Sequence, residues 1–149
     1  MRFHFCFCSQ LWAPQSVISN LLLVENTRRR ATRFMLRNSD LSYKARLIKL
    51  KLLPLNYWLE YLDLVFFFKC LHGHIDFTRG FSYFSFLKGN TRRASSGLHL
   101  RSNSCRTSSF RDFFFNRITL LWNSLSDDIK DSDTISSFKS KLKSFYFSV

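Results

Sequence analysis

The chain has 149 residues, of which 46% are hydrophobic and 17% aromatic, enough for one folded domain and too apolar for a disordered basic tail. Its formal net charge of +13 indicates polyanionic partners and carries no information about the fold. Eighteen Phe against four Gly and two Pro favour long helices with few tight turns.

The first half of the chain has the periodicity of helices. A helix is predicted from Gln15 to Leu36, because apolar residues recur there at the spacing of one helical face: Val17, Leu21, Val24, Ala31 and Met35. A shorter helix from Ser42 to Lys51 precedes Pro54, whose ring disfavours helical geometry in the residue before it. The next helix, Leu55 to Leu71, has only a thin polar stripe and is predicted to be the buried central element. That stripe consists of Asn56, Glu60 and Asp63.

The second half is predicted to contain two further helices after an irregular loop. Glycines scattered among Ser, Arg and Asn predict the loop from His72 to Ser108. One helix then spans Phe110 to Leu125, with Ser108 or Ser109 placed to cap it. The last helix is predicted to start near Ser132 or Asp133 and to present a core face: Ile135, Phe138, Leu142 and Phe145.

Cysteine usage and hydropathy indicate an intracellular protein. The spacing of the four cysteines is not that of a disulfide framework, which favours a reducing compartment, cytoplasm or nucleus: Cys6, Cys8, Cys70 and Cys105. His4 interrupts the apolar opening segment, so secretion is not expected. The most apolar stretch, Tyr61 to Leu71, is shorter than the roughly 20 residues that cross a bilayer.

Two basic segments are candidate phosphate-binding sites. Guanidinium groups bind phosphate oxygens bidentately, and a helix fixes their spacing. The first segment lies on the predicted first helix and contains Arg29, Arg30, Arg33 and Arg37. The second contains Arg106, Arg111 and Arg117. For either segment the alternative interpretation is a solvated surface stripe.

Aromatic residues divide between core packing and base stacking. Phe66, Phe114 and Phe138 repeat at helical spacing, which favours the core. Aromatic residues of the predicted loop are candidates for stacking on bases: Phe81, Tyr83, Phe84 and Phe86.

No residue set predicts a metal site, a cofactor or a catalytic centre. Two Cys and two His residues are spaced unlike zinc ligands: Cys6, Cys8, His72 and His74. Cys70 lies in an apolar helix, where a thiol is normally inert. Asp127 and Asp128 form the only acidic doublet, but they follow a predicted helix without a strand, which favours a solvated turn.

Four blocks of sequence together resemble a known family. The first is Arg29-Arg30-Ala31-Thr32-Arg33, and the second runs from Leu41-Ser42-Tyr43 to Pro54-Leu55. The third begins at Asp63-Leu64 and ends at Asp76, and the fourth contains Phe114-Phe115-Asn116-Arg117 and Trp122-Asn123-Ser124-Leu125. Over residues 11–147 the order and spacing resemble the reverse transcriptases of non-LTR retrotransposons of the jockey and chicken-repeat type, downstream of the polymerase core.

This resemblance implies a region that helps to hold template RNA or target DNA while a separate palm performs RNA-directed DNA synthesis. The family's Ala-Asp-Asp strand motif is absent from the 149 residues, so the chain itself is not expected to be an enzyme. Thr27, Arg28 and Ser126 depart from the family pattern, as in a decayed copy.

The sequence therefore predicts a mainly α fold of about five helices around the Leu55 to Leu71 helix. Residues 1–10 are expected to be a non-homologous, disordered start, and residues 11–149 the helical region. The expected partner is RNA or DNA, bound by its phosphate backbone, with no small-molecule substrate and no membrane partner. Two alternatives stay open: a structural relic without function, and a peripheral membrane-binding module of basic and aromatic residues.

Overall fold

The computed structural model of the protein describes residues 9–12, 18–37, 41–87 and 99–148. Over these residues the chain is mainly helical, which confirms the predicted fold class. An isolated antiparallel bridge joins Phe86 to Leu100. The described ranges contain no β-strand longer than this bridge. The helices are α1 Ser9–Trp12, α2 Ile18–Leu36, α3 Tyr43–Lys49, α4 Leu55–Leu71, α5 Thr78–Phe81, α6 Ser108–Asp112, α7 Phe114–Ser124, α8 Asp127–Lys130 and α9 Ile135–Ser148.

Helix α4 forms the centre of the molecule, with the bounds that the sequence predicted. Pro54 precedes its first turn, and Gly73, with φ +70, follows its end in a left-handed conformation that suits glycine. Helices α7 and α9 pack against it, so that Leu64 and Phe67 are fully buried. A helix that is apolar nearly all round is stable only when neighbours cover it on several sides.

The core around α4 is rich in aromatic contacts. Phe138 of α9 stacks on Phe68 with ring centroids 4.1 Å apart, and Trp122 of α7 meets Phe67 edge-on at 5.1 Å. Burying each such ring contributes roughly 1.5 to 3 kcal/mol. The predicted core positions agree, since Phe114 and Phe138 are buried and Phe66 packs against the core while half-buried.

Helix α2 packs on α4 through a smaller apolar cluster. Leu21 and Val24 lie against Leu55 and Leu59 of α4. Met35, predicted to lie on the same apolar face, is 65% exposed, because only the first part of the helix contacts α4. Residues 13–17, where the sequence predicted this helix to begin, lie outside the described residues.

Several predicted helix ends were wrong. Helix α3 ends at Lys49 instead of Lys51, where the backbone has a positive φ of 51°. The predicted Phe110 to Leu125 helix is broken at Phe113, whose φ of −60° and ψ of 138° are not helical. It therefore forms α6 and α7, and Thr107 caps α6 by accepting a hydrogen bond from the Phe110 N–H at 3.3 Å, instead of Ser108 or Ser109.

The last helix also begins later than predicted. Ser132 and Asp133 precede its first turn, and the Oγ1 of Thr134 accepts a hydrogen bond from the Ser137 N–H at 3.2 Å. Ser132 is instead buried and donates its hydroxyl hydrogen to the carbonyl of Ile129 at 2.8 Å. A side chain committed to the preceding turn does not cap this helix.

The two peripheral predictions lie partly outside the described residues. Of the predicted start, residues 1–8 are not described, and Ser9 and Gln10 belong to α1, so the boundary at residue 10 falls inside a helical turn. Of the predicted loop, residues 88–98 are not described. The part of the loop that follows them is held at Leu100 by Asn123. The Asn123 amide oxygen accepts a hydrogen bond from the Leu100 N–H at 3.0 Å, and its amide nitrogen donates one to the Leu100 carbonyl at 2.8 Å.

Candidate nucleic-acid interface

Helix α2 presents three of the predicted phosphate contacts in one groove. Arg29, Arg30 and Arg33 are exposed and, with Asn26, line a depression of about 250 Å³ that we call the arginine groove. No carboxylate among the described residues forms an ion pair with these three side chains. Arg37 is exposed just beyond the end of α2 but does not line the groove. The groove is thus a concentrated positive surface whose three arginines form no ion pair within the described part of the chain.

Glu25 fixes α2 in the orientation that turns these arginines outward. Its carboxylate accepts hydrogen bonds from Arg28 Nη1 at 3.1 Å, from the Leu55 N–H at 3.2 Å and from the hydroxyl of Tyr43. Arg28 also donates from Nη2 to the Leu53 carbonyl at 2.8 Å. Burial, and then the bond to Glu25, raise the pKa of Tyr43 well above its ordinary value, so this hydroxyl remains a donor. Three elements therefore meet at one carboxylate.

Tyr43 also places an aromatic ring beneath the arginine groove. The guanidinium carbon of Arg29 lies 4.9 Å from the centroid of this ring, within the range of a cation–π contact. Arg46 approaches the same ring at 5.7 Å but is buried, and it donates to Thr32 Oγ1 at 3.4 Å and to the Leu41 carbonyl. Arg29 is therefore positioned on the surface, whereas Arg46 is committed to the interior.

A second, more apolar depression begins on the other side of Arg29. This aromatic groove has a volume of about 390 Å³ and lies between α2, α3, α4 and α9. Tyr57 and Tyr146 stack along it with ring centroids 5.3 Å apart. Besides Arg29, its polar lining includes Lys44, Asn56 and Glu25.

The second predicted basic segment is not a single surface. Arg106 and Arg111 are exposed, on the loop before α6 and on α6, and neither lines the arginine groove. Arg117 is buried, with a side chain only 4% exposed, so its predicted phosphate contact was wrong. A guanidinium enclosed by protein cannot meet a phosphate without unfolding its surroundings.

Arg117 is held instead by Asp63 and by backbone carbonyls. Its Nε and Nη2 lie 2.9 and 2.8 Å from Asp63 Oδ2, and it donates to the carbonyls of Asp112 at 2.8 Å and Gln10 at 3.3 Å. Asp63, predicted to lie in a polar stripe, is therefore buried at the centre. Burial raises the pKa of Asp63 to about 6, and the Arg117 charge opposes that rise. This pair joins α1, α4 and α7.

The remainder of the predicted stripe divides between surface and interior. Asn56 is exposed, and Glu60 accepts a hydrogen bond from the Tyr146 hydroxyl at 3.1 Å. Burial raises the pKa of Glu60, against the effect of that bond. Only Asn56 of the three is exposed, because α7 and α9 cover Asp63 and Glu60 through Arg117 and Tyr146.

The predicted stacking residues differ in their exposure. Tyr83 is 63% exposed and Phe86 is at the surface, so both rings are accessible. Phe84 is buried and Phe81 half-buried against the core, which excludes Phe84 as a stacker. Sequence reasoning missed the exposed Phe113, because it assigned that residue to the interior of an unbroken helix.

The acidic, thiol and imidazole groups of the described residues are engaged in ion pairs, buried in the core or exposed at separate places. Asp128 pairs with Lys141 at 2.9 Å, and Asp127 lies 3.6 Å from Lys130, at the start of α8. Burial raises the pKa of Cys70 to about 11, which leaves the thiol protonated. His72 and His74 are exposed, Cys6 and Cys8 lie outside the described residues, and the described part has no metal-binding cluster of three or more such side chains.

Comparisons with family models, curated proteins and solved structures find no match to this chain. Within the described ranges, no helix has both the length and the apolar character needed to cross a membrane. The resemblance to non-LTR reverse transcriptases thus stays a prediction from the sequence blocks. The geometry of the two grooves is the independent basis for a functional proposal.

Proposed function

We propose that the chain is a nucleic-acid-binding fragment of a mobile-element RNA-directed DNA polymerase that contacts phosphates through the arginine groove. The observation that carries the binding proposal is the grouping of Arg29, Arg30 and Arg33 on one exposed face without carboxylate partners among the described residues. Other arginines are engaged in holding the fold, as Arg28 and Arg117 show. Exposed guanidinium groups in a fixed array suit a regularly spaced phosphate backbone.

The proposed contact is electrostatic and does not read sequence. Each phosphate neutralised by a cationic side chain releases counterions, so affinity falls steeply with salt. The net charge of +13 attracts RNA and DNA alike. The proposed contact takes place in the cytoplasm or nucleus. Arg37, just beyond the end of α2, and the exposed Arg106 and Arg111 are proposed as further phosphate contacts outside the groove.

Polymerisation is not part of the proposal. In the parent family it requires palm aspartates that hold two metal ions, and the 149 residues lack the Ala-Asp-Asp motif. The acidic doublet is directed to lysines, since Asp128 pairs with Lys141. We therefore propose a binding role with no cofactor and no small-molecule substrate.

The test is a salt titration of binding to fluorescent RNA and to duplex DNA, for the parent protein and for the variant Arg29→Gln/Arg30→Gln/Arg33→Gln. If all three side chains contact duplex phosphates, the slope of log affinity against log salt falls in magnitude by about 2.7. The matched control, Arg79→Gln/Arg101→Gln/Lys143→Gln, removes the same charge from exposed residues outside the groove.

Circular dichroism of the parent protein and of each variant tests whether they are folded and helical. A folded parent protein without salt-sensitive binding would contradict the proposal and leave the structural relic as the interpretation. Equal losses in the groove variant and in the control would mean that net charge acts without a defined site.

A second candidate function, peripheral attachment to a membrane, is favoured by exposed apolar side chains on α2. Four large apolar side chains on α2 are exposed beside the arginines: Leu22, Leu23, Phe34 and Met35. Apolar and basic side chains on one helix suit the surface of an anionic membrane. Flotation with vesicles of phosphatidylserine and phosphatidylcholine tests this peripheral attachment, and absence of flotation excludes it.

A further inference from the structure

The arginine groove and the aromatic groove share Arg29, so one ligand can occupy both. Arg29 lines each depression, with Arg30 and Arg33 on one side and Tyr43 on the other. A volume of about 390 Å³ is within the roughly 300 to 1,000 Å³ of small-molecule clefts. A ligand anchored by its charge at Arg29 can therefore place an uncharged group in the aromatic groove.

The walls of the aromatic groove suit a flat ring with polar edges. The hydrogen bond from Tyr43 to Glu25 holds one ring in place, and stacking against Tyr146 holds the ring of Tyr57. The amide of Asn56 and the ammonium of Lys44 line the same groove, where they can bind the polar edge of a base. Aromatic surfaces of this kind stack on bases of any sequence.

The charges of the groove favour an anionic ligand. Glu25 is the one acidic residue among the described side chains that line it, and its carboxylate already accepts three hydrogen bonds. Arg29 and Lys44 contribute positive charge. A neutral apolar peptide would leave these cations uncompensated, whereas a nucleotide brings a phosphate with its base.

We infer that the aromatic groove receives an unpaired base of a single strand whose phosphates lie in the arginine groove. This inference rests on the proposed nucleic-acid binding and specifies its substrate class. In a duplex the faces of the bases are buried in the stack, so no base can enter the aromatic groove and stack on its rings, and the contact with the arginine groove is left to the phosphates. Single-stranded nucleic acid should therefore bind more tightly than duplex at the same salt concentration.

The first experiment changes the ligand and leaves the protein intact. Three fluorescent DNA probes of about 12 nucleotides are compared: an oligothymidylate strand, a strand of the same length with abasic residues, and a hairpin duplex. We expect the oligothymidylate to bind about 10-fold more tightly than the abasic strand, because one stacked base is lost. Equal affinity for the two strands would overturn the inference, and a ribonucleotide strand distinguishes RNA from DNA.

The second experiment locates the base. Tyr57→Ala should lower single-strand affinity about 10-fold and leave duplex affinity unchanged. The matched control is Phe34→Ala, which removes an aromatic ring that is 84% exposed on α2 and lines neither groove. A loss of single-strand affinity in Tyr83→Ala, without a loss in Tyr57→Ala, would place the base elsewhere and overturn the inference.

The outcomes separate the two proposals. If Arg29→Gln/Arg30→Gln/Arg33→Gln weakens both strand and duplex binding while the abasic strand binds like the intact one, only the inference fails. If that variant weakens neither, the proposed function fails as well. Far-ultraviolet circular dichroism tests whether Tyr57→Ala is folded. If it is not folded, the comparison of the oligothymidylate with the abasic strand still tests the inference, because it uses the unaltered protein.

Discussion

Arg29 of α2 and Arg117 of α7 belong to two basic segments that predict the same role, yet they have opposite environments. Arg29 is exposed in a groove with two other arginines, whereas Arg117 is buried against Asp63. The difference arises from the partners that the fold supplies. A charged side chain is buried only where an opposite charge and hydrogen-bond acceptors meet it. For Arg117, α4 supplies the charge of Asp63, and α6 and α1 supply the carbonyls of Asp112 and Gln10.

Two neighbouring residues of α2 show the same contrast. Arg28 lies on the side of the helix that carries Leu21, Val24 and Glu25, three and four residues apart, and it reaches the carbonyl of Leu53. Arg29, about 100° further round the helix, faces solvent. Local sequence does not distinguish these two arginines, but the side of α2 that contacts α4 does.

The largest expected effect comes from breaking the buried pair. Arg117→Met should lower the free energy of unfolding by about 3 to 5 kcal/mol, because it leaves the Asp63 carboxyl buried without its partner. Urea denaturation at pH 7 measures this loss. The double variant Asp63→Leu/Arg117→Met should recover much of it, and a single variant as stable as the parent protein would contradict the buried pair.

The pH dependence of stability tests the environment of Asp63. Its pKa is raised from the ordinary 3.8 to about 6, so the carboxyl stabilises the folded state most below about pH 3.8, and this contribution is lost as pH rises through about 6. The difference between the two values corresponds to about 3 kcal/mol. Glu60, with a pKa also raised by burial, acts in the same direction.

Urea denaturation at several pH values from about 4 to about 7, which span this titration, measures how the free energy of unfolding falls as pH rises. The matched variant Asp63→Asn lacks the titrating group, and subtracting its profile isolates the contribution of Asp63. The parent protein's advantage in unfolding free energy over Asp63→Asn should decrease as pH rises. An advantage that increases with pH would mean that attraction to Arg117 outweighs the effect of burial on the Asp63 pKa.

The neighbouring arginines of α2 give a smaller, more direct contrast. Arg28→Gln should cost about 1.5 to 3 kcal/mol, because it removes charge-assisted hydrogen bonds to Glu25 and to the Leu53 carbonyl. Arg29→Gln should cost under about 1 kcal/mol, the size of an exposed cation–π contact, and should weaken nucleic-acid binding instead. Thermal denaturation together with fluorescence anisotropy separates the two effects. Equal behaviour of the two variants would remove the distinction drawn between the faces of α2.

The smallest effect on stability is expected at the exposed arginines of the second segment. Arg106→Gln/Arg111→Gln should change the free energy of unfolding by no more than about 0.5 kcal/mol, as is usual at surface sites. If both side chains contact duplex phosphates, the salt slope falls in magnitude by about 1.8. An unchanged slope would confine the contact to the arginine groove.

The sequence predicted the helices better than it predicted their ends. The bounds of α4 were right because Pro54 precedes it and its apolar character is continuous. The break at Phe113 was missed, since residues on either side of it continue an apolar pattern. Phe84 was assigned to the loop as a candidate for base stacking, because its local sequence does not show the packing that buries it, against Phe67 at 5.0 Å and Phe115 at 5.2 Å.

Composition and periodicity by themselves determined the mainly α fold, the buried central helix and the positive charge, because each depends on residues close together in the chain or on their sum. The tertiary structure alone decided which charged side chains are free and which are buried. Asp63 and Arg117 are 54 residues apart in the chain. Each loses its contact with water and gains the other as a partner only when α7 packs on α4. The aromatic groove likewise exists only because α2, α3, α4 and α9 come together, and Glu25 joins the first three of these helices.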